Sequence, residues 1–371
     1  QSHLLNSSDE LRFSHGVVPL TLKLVFQELG QCFSLKSGML QKASDHVLAT
    51  FTDQRDNEQA SKEALYGVLG ELTNSCDLAH LLCSDYASEE HKTAIPTARW
   101  LHQLNSDRAF DVSIYTAPLS VADTLNRLLW KHCFAAILTS ATLAALGHFD
   151  HFIQQIGTGE PDRAFKILGD LNFADSVFHV PKMRSDPTQT ELHTEEIIQL
   201  LPGLIAEDGG TLVLFSSRRQ LQAVYDGLED SLRQSILLQG ERSKQYLIHQ
   251  HKEAVDAGTN SVLFGLASFS EGLDLPGKYC RQVIIAKLPF AVPDSPIDEA
   301  LGEWVESKGG NSFWDIAVPN ASLRLLQACG RLLRGESDQG RVTLLDRRIL
   351  TKSYGKQLLA SLPPFKRQLN A

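Results

Sequence analysis

Residues 327–335, QACGRLLRG, carry two arginines among small and apolar neighbours. Arg331 and Arg334 are three positions apart, a spacing that places two side chains on one face of a helix. Arginine stays charged at physiological pH, and its planar guanidinium matches the oxygens of carboxylates and phosphates. This spacing therefore predicts that both side chains bind the same anion. The alternative from the residues alone is that they pair with acidic side chains such as Asp274 or Asp346.

The elements around this segment alternate between strand and helix from about Asp175 to the end of the chain. Five short apolar runs are typical of buried strands: TLVLFSS, SILLQG, SVLFG, QVIIAK and RVTLLD. Between them lie amphipathic stretches with apolar residues at helical spacing, including EEIIQLLPGLIAEDGG and RRQLQAVYDGLEDSL. The alternation predicts an α/β fold with a mostly parallel sheet covered by helices on both faces. Ligands bind at the carboxyl ends of the strands in such sheets.

Polar residues follow these predicted strands directly. Ser216, Ser217 and Arg218 follow the first strand, Gln239 follows the second, and Asp274 lies in a loop between glycine-rich turns. Hydroxyls and main-chain amides at strand ends suit contacts with phosphate, and a carboxylate suits a sugar hydroxyl. Serine and glycine at strand ends are also ordinary turn residues, so each feature is weak when taken alone.

The first hundred residues differ in character from the rest. LTLKLVFQELGQCF, GMLQKASDHVLATF and KEALYGVLGELTNSCDLAHLLC repeat apolar residues every three or four positions, which predicts helices. After Ser106, FDVSIYTAP alternates like a strand, VADTLNRLLW predicts a short helix, and FAAILTSATL predicts a buried strand that enters a Thr/Ser turn.

Composition sets broad limits on function. A chain of 371 residues with 43% hydrophobic and 21% charged residues predicts a globular protein of two or three domains. The net charge of −9 neither favours nor excludes nucleic acid, because net charge averages away a local basic groove. The six cysteines form no C-x-x-C pair, and nothing near His148 and His151 completes a metal shell. We therefore expect no metal site within this chain, and no membrane span.

The order of these features resembles the C-terminal motor half of superfamily 2 helicases, and among them the DinG/XPD-like group. ILTSATL is similar to motif III, LVLFSSRRQL to motif IV, SFSEGLDLPG to motif V and QACGRLLRG to motif VI. KLPF with PDSP, and the ending LLDRRILTKSYGKQLLASLP, resemble the bacterial DinG type. The resemblance extends from about Phe110 to Pro364.

The resemblance implies a RecA-like, P-loop-NTPase-type motor domain preceded by a mainly helical, Arch-like region. Its domains would be a helical part of the Arch at 1–108, the end of helicase domain 1 at 109–165, and helicase domain 2 at 166–371. The sequence contains no G-x-x-x-x-G-K-[ST] loop, no D-E-A-H-type box and none of the four clustered cysteines of that family. It therefore resembles the C-terminal fragment of a longer helicase, which alone would hydrolyse little ATP. We expect a 4Fe–4S cluster only in the full-length parent, and poor support for residues 111–143.

The resemblance also implies residue roles. Arg334 would be the arginine finger on the γ-phosphate of ATP, Arg331 a second phosphate contact, and Gln327 an orienter of the γ-phosphate or attacking water. ATP and magnesium would be shared with the absent motor domain. On the nucleotide side we expect Asp274, Gly272, Glu271 and Gly330. Near single-stranded DNA we expect Ser216, Ser217, Arg218, Gln239 and Ser268. Between the domains we expect coupling by Thr139, Ser140 and Thr142.

For a family member the resemblance implies 5′-to-3′ movement on single-stranded DNA, in DNA repair and replication. The expected partners are single-stranded DNA, forked or unusual DNA structures and a single-stranded DNA-binding protein. The expected location is the bacterial cytoplasm, in association with the nucleoid. One alternative is a non-catalytic module that binds nucleic acid or a protein partner. Another is a metabolic α/β enzyme, against which stands the lack of a G-x-G-x-x-G motif and of a nucleophile elbow.

Overall fold

The structure is a computed structural model that describes residues 10–51, 57–88, 96–106, 109–159, 163–167, 169, 171–205, 208–266, 269 and 272–370. The chain divides into two compact units. The first unit comprises Gln1–Ser120 and Pro293–Ser312, and the second comprises Val121–Val292 and Phe313–Ala371. The second unit contains the segments that carry the candidate site.

Two long helices dominate the first unit, as their apolar spacing predicts. Helix α1 (Leu20–Leu48) packs along helix α2 (Asn57–Ala87). A three-stranded antiparallel sheet accompanies them in the order β1 (Glu10–Arg12), β2 (Thr97–Ser106) and β3 (Ala109–Pro118). Strand β3 confirms the alternation seen in FDVSIYTAP, whereas β1 and β2 were not predicted.

Residues 293–312 belong to the first unit although they are distant from it in sequence. Their helix, α9 (Pro296–Ser307), carries two glutamates that bind one guanidinium from β1. Arg12 Nε lies 2.7 Å from Glu299 and Arg12 Nη2 lies 2.6 Å from Glu303. The two ion pairs fix this helix against the amino-terminal strand.

The second unit is built on a seven-stranded sheet in which all strands are parallel. Its strand order is β10-β4-β9-β8-β5-β7-β6. The strands are β4 (Val177–Val180), β5 (Gly210–Phe215), β6 (Ile236–Leu238), β7 (Ser261–Leu266), β8 (Gln282–Ile285), β9 (Arg341–Leu344) and β10 (Lys366–Leu369). The predicted parallel sheet is therefore confirmed. Strands β4 and β10, which extend the sheet beyond β9, were not predicted.

Hydrophobic cores lie on both faces of this sheet. Along β5, Leu212 and Leu214 enter one core while Val213 and Phe215 enter the other. Because both faces are covered, the strand reads as a continuous apolar run. The helices of this unit are α3 (Ala122–Leu128), α4 (Asp150–Ile156), α5 (Thr190–Leu204), α6 (Arg218–Gly227), α7 (Asp230–Arg233), α8 (Lys244–Asp256), α10 (Val318–Cys329), α11 (Arg348–Thr351) and α12 (Ser353–Ser361). A π-helical turn, Phe313–Ala317, precedes α10.

The prediction of a buried strand in FAAILTSATL is wrong. Residues 135–140 form neither helix nor strand, and the side chains of Phe134 and Ile137 are 106% and 93% exposed. An apolar run becomes a buried strand only where neighbouring strands pair with it, and among the described residues none pairs with this segment. Poor support was expected for residues 111–143 as a whole, but residues 111–118 lie in β3 and pair with β2.

Two fully buried histidines in the second unit are held as neutral rings. His193 on α5 has Nε2 2.7 Å from the carbonyl oxygen of Leu345 and Nδ1 3.1 Å from Nε2 of Gln220. His251 on α8 has Nε2 2.7 Å from the carbonyl oxygen of Tyr279. Because a carbonyl only accepts, the proton must be on Nε2 in both rings. Burial lowers the pKa of both imidazoles.

We expect the contribution of these two histidines to the free energy of unfolding to be constant above about pH 6.5 and to fall below it. The unfolded chain takes up protons near the ordinary histidine pKa, whereas the folded chain must stay neutral at these sites. The slope should reach at most about 1.4 kcal/mol per pH unit for each histidine. Urea unfolding from pH 7.5 to 5 measures it. His251→Gln should reduce the slope and His132→Gln, at an exposed position, should retain it; equal slopes in both variants would contradict the assignment.

Candidate functional site

The two arginines of QACGRLLRG lie beyond the helix on which they were predicted. Helix α10 ends at Cys329, and Gly330 begins a series of turns. The peptide N–H of Arg331 donates to the carbonyl of Ala328 at 3.2 Å, which tightens the chain at this point. Leu332 and Leu333 are both buried in the core.

Despite this turn, both guanidinium groups meet at one atom. Nη1 of Arg331 donates to the carbonyl oxygen of Leu273 at 3.2 Å, and Nη2 of Arg334 donates to the same oxygen at 2.8 Å. The side chains therefore share the orientation that their spacing predicts. Two like charges converge on a neutral acceptor, an arrangement that an additional anion would stabilise.

The two acids that the sequence offers as partners of these arginines, Asp274 and Asp346, can be compared directly in the structure. Oδ1 of Asp274 lies 4.0 Å from Nε of Arg334, at the outer limit of an ion pair, and the Asp274 side chain is 81% exposed. Ion pairs exposed to this degree contribute little free energy. Asp346 instead binds Arg348, at 2.6 Å. Neither carboxylate gives the arginine pair a buried partner.

Asp338 fixes the turn that carries Arg334. Its Oδ2 accepts hydrogen bonds from the peptide N–H groups of Arg334 and Gly335, both at 2.8 Å. Burial works against the charged carboxylate, but these N–H donors hold the pKa of Asp338 below its ordinary value. The sequence prediction missed this residue. A signal was available, because an aspartate four residues after the arginine and three after a glycine is typical of a side chain that closes a turn.

Gln327 and Thr142 come together, as residues of the motif VI-like and motif III-like segments. Nε2 of Gln327 donates to Oγ1 of Thr142 at 3.4 Å. Thr139 and Ser140 lie in the same exposed segment as Thr142, and the peptide N–H of Thr142 donates to Oγ of Ser140 at 3.4 Å. The contact with Gln327 links this segment to the end of α10.

The loop after β7 is described only in part. Gly272 is exposed and has a φ of 67°, a left-handed conformation that favours glycine. It leads into Leu273, whose carbonyl receives both guanidinium groups. Two residues predicted for this loop, Ser268 and Glu271, lie outside the described residues.

The ends of β5, β6 and β7 form a second group of polar residues. Ser216 and Ser217 are exposed, and Ser217 caps α6 because its Oγ accepts from the peptide N–H of Gln220 at 3.2 Å. Its own hydroxyl proton remains a donor for a ligand. Oε1 of Gln239 accepts from the peptide N–H of Leu266 at 2.7 Å, which joins the ends of β6 and β7.

Arg218, the first residue of α6, lies over Gly240. A Cβ placed on Gly240, whose φ is 105°, would lie 3.2 Å from Nη1 of Arg218. Lys244 begins the helix after β6 and Phe269 follows β7, and Nζ of Lys244 lies 5.6 Å from the centre of the Phe269 ring. This edge of the sheet therefore combines exposed hydroxyls, a helix N-terminus and basic side chains.

The expectations about metal and membrane concern the chain as a whole, and the structure addresses them for the residues that it describes. Within these, no three His, Cys, Asp or Glu side chains are grouped so that they could hold a metal ion. None of the described helices is both long enough and apolar enough to span a membrane.

The sequence matches known helicases. Residues 202–365 match a family model described as a helicase C-terminal domain. The ATP-dependent DNA helicase DinG of Photobacterium profundum is 40% identical over 369 residues, which cover 96% of this chain and 52% of that protein. DinG of Escherichia coli K12 is 35% identical over 286 residues, 75% of this chain and 40% of that protein. The chain is therefore similar to a part of the DinG helicases that includes a helicase C-terminal domain.

The match covers only part of each helicase. The chain spans about half the length of the curated DinG proteins that it matches. The solved structure of S. tokodaii Xpd4 covers 98% of this chain with a TM-score of 0.51 and 13% identity, and the chain covers 72% of that structure. At this identity the likeness concerns the fold, and it agrees with the RecA-like parallel sheet of the second unit.

Proposed function

We propose that this chain supplies one half of the ATP site of a DinG-type DNA helicase, together with a surface for single-stranded DNA. The observation that carries the proposal is the convergence of Arg331 and Arg334 on the carbonyl oxygen of Leu273. In a motor whose nucleotide lies between two RecA-like domains, such a pair would reach the phosphates from the side opposite the phosphate loop. The motif order of the sequence and the similarity to DinG helicases support this assignment.

In the proposed mechanism, Arg334 is the finger on the γ-phosphate because it is the more exposed of the two arginines and Asp338 holds its turn. Arg331 is the second phosphate contact. Negative charge grows on the phosphoryl oxygens during transfer, so fixed cations stabilise the transition state more than bound ATP. Gln327, placed at the end of α10, orients the γ-phosphate or the attacking water. Thr142 couples that amide to the motif III segment.

The described residues fit the phosphates of ATP better than they fit magnesium. Magnesium requires oxygen ligands in near-octahedral geometry, and of the predicted nucleotide residues that the structure describes only Asp274 carries a carboxylate. We assign the ion to the motor domain that carries the phosphate loop. Asp274 and Gly272 then face the ribose side of the nucleotide, and Gly330 lies on the nucleotide side at the end of α10. Low ATP turnover by residues 1–371 alone, and an iron–sulfur cluster only in a longer parent, stay predictions.

The proposed DNA surface is the edge formed by Ser216, Ser217, Arg218 and Gln239. Contacts of this kind go to the sugar–phosphate backbone, so binding would be sensitive to salt and largely independent of sequence. We infer 5′-to-3′ movement, a role in DNA repair or replication, and a bacterial cytoplasmic location from the similarity to DinG helicases. Forked DNA and a single-stranded DNA-binding protein are the proposed partners. We likewise propose residues 1–108 as part of the Arch, 109–165 as the end of helicase domain 1 and 166–371 as helicase domain 2.

We expect Arg218→Ala to raise the Kd for oligothymidylate roughly tenfold at fixed low salt. The loss follows from one charge-assisted phosphate contact, and the slope of log Kd against log salt should decrease by about 0.7. Fluorescence anisotropy over a salt series measures both quantities. Arg233→Ala is the matched control. Arg233 lies on α7, just before β6, and therefore near the amino ends of the strands, on the side of the sheet away from Arg218. An unchanged Kd in Arg218→Ala would remove this edge from the proposed function.

A further inference from the structure

Four aromatic side chains of the second unit form a continuous cluster that the proposed function does not use. We name Phe290, Phe313, Trp314 and Tyr354 the aromatic platform. The rings of Phe290 and Phe313 are stacked, with centroids 5.5 Å apart and an interplanar angle of 27°. Tyr354 meets both edge-on, at 5.3 Å from each. Trp314 meets Phe313 edge-on at 5.7 Å.

The platform is only partly used as core. Phe290 and Tyr354 pack against the core on one face of the sheet. Phe313 and Trp314 are each 38% exposed. A stacked pair whose inner ring is packed and whose outer ring is exposed offers an aromatic surface of fixed orientation.

The aromatic platform lies at the carboxyl ends of the parallel strands, where the proposed DNA contacts also lie. Phe290 follows β8, and β8 is the direct neighbour of β5, whose end carries Ser216 and Arg218. Tyr354 lies on α12, shortly after β9, the other neighbour of β8. Because the strands are parallel, their carboxyl ends all lie on the same side of the sheet.

Asp346 fixes the two loops that support the platform. Its Oδ2 accepts from the peptide N–H of Leu288 at 2.9 Å, in the loop that leads to Phe290. Both its oxygens accept from Arg348, whose guanidinium carbon lies 6.0 Å from the centre of the Phe290 ring. The carboxylate is fully buried. These contacts join the loop before Phe290 to the segment before Tyr354, while Phe313 and Trp314 stay partly exposed.

The chain beside the platform is basic. RRILTKSYGK, residues 347–356, carries Arg347, Arg348, Lys352 and Lys356 around Tyr354, and the two lysines are exposed. This segment contains no acidic residue. Exposed aromatic rings beside cations are the combination with which proteins bind single-stranded nucleic acid, where bases stack and phosphates meet positive charge. A protein partner would also use exposed aromatics, but the basic segment favours a polyanion.

We propose that the aromatic platform stacks bases of single-stranded DNA, as a subsite beyond the phosphate contacts at β5, β6 and β7. The inference rests on the proposed function, because the same single strand of DNA would continue from the carboxyl ends of β5, β6 and β7 to those of β8 and β9. Stacking accepts any base, so the subsite adds affinity without sequence preference.

The test compares two ligands of equal charge: a short oligothymidylate, and an oligomer of the same length with an abasic tetrahydrofuran at every position. Phe313→Leu should raise the Kd for oligothymidylate roughly 5- to 50-fold and leave the Kd for the abasic oligomer within about twofold. Trp314→Leu provides a second variant if the first folds poorly. Phe173→Leu is the control, since Phe173 is a partly buried ring that meets Phe365 edge-on at 5.1 Å and 88°.

The outcomes separate this inference from the proposed function. Equal weakening of both ligands by Phe313→Leu would overturn stacking, because loss of fold or charge acts on phosphates too. No weakening in either platform variant would also overturn it, and would leave the face to a protein partner. If Arg218→Ala weakens the binding of both oligomers while the platform variants weaken the binding of neither, the proposed phosphate contacts are supported and base stacking on the platform is excluded. If the platform variants weaken only the binding of oligothymidylate while Arg218→Ala leaves both Kd values unchanged, base stacking on the platform is supported and the phosphate contacts proposed at β5, β6 and β7 are excluded.

Discussion

Arg334→Ala is expected to lower kcat for ATP at least about 10³-fold in a helicase that joins this chain to a phosphate-loop half. The affinity for single-stranded DNA should stay nearly intact. The guanidinium acts on charge that grows in the transition state, so its loss affects the chemical step more than the binding of ATP. Steady-state ATP hydrolysis with saturating DNA measures kcat, and anisotropy at the same salt measures the Kd for DNA.

Two further variants test the finger assignment. Arg334→Lys should rescue poorly, because an ammonium lacks the planar fork that reaches two oxygens. Arg324→Ala is the matched control, since Arg324 is an exposed arginine on the same helix α10 as Gln327. A kcat for Arg334→Ala within about twofold of the parent corresponds to roughly 0.4 kcal/mol of barrier. That result would exclude Arg334 as the finger and make Arg331 the next residue to test.

Asp346→Ala is expected to lower the free energy of unfolding by about 3–5 kcal/mol. The substitution leaves the Arg348 guanidinium largely buried without its carboxylate, and it removes the acceptor for the peptide N–H groups of Leu288 and Arg348. Breaking one partner of a buried pair costs more than the pair contributes, because the remaining charge stays desolvated. Urea unfolding at pH 7.5 measures the change.

An exposed ion pair provides the comparison for Asp346. Asp230→Ala removes the partner of Arg233, and the Asp230 side chain is 84% exposed. We expect a loss below about 1 kcal/mol there, because solvent screens the pair. Comparable losses in the two variants would show that burial does not set the value of the Asp346 contact.

Local pattern was sufficient to predict many of the strands and helices of the second unit. Strands such as β5 and β7 are short apolar runs bounded by turn residues, and α5 and α6 carry their apolar residues on one stripe. Both signals depend only on near neighbours in the chain, so they survive in the sequence. Strands β4 and β10 escaped prediction for different reasons: β10 is an edge strand with four exposed side chains, and in the paired strand β4 the apolar run VFHV is interrupted by His179.

Prediction failed where the outcome depends on distant partners. FAAILTSATL has the composition of a buried strand, yet whether an apolar run is buried is decided by the strands beside it. The segment 293–312 folds with the first unit through Arg12, nearly three hundred residues earlier in sequence, a pairing that no local pattern contains.

Within the candidate site, the arginine pair likewise separates what the sequence predicts from what only the tertiary structure decides. The sequence by itself predicted, from the spacing of Arg331 and Arg334, that the two side chains point the same way; that they bind an anion stays a prediction. Only the tertiary structure decided which atom they share. The helix ends at Cys329, before the arginines, and the carbonyl of Leu273 receives both guanidinium groups. A main-chain carbonyl is present at every residue, so its use as the common acceptor leaves no mark in the sequence and follows only from the packing of the chain.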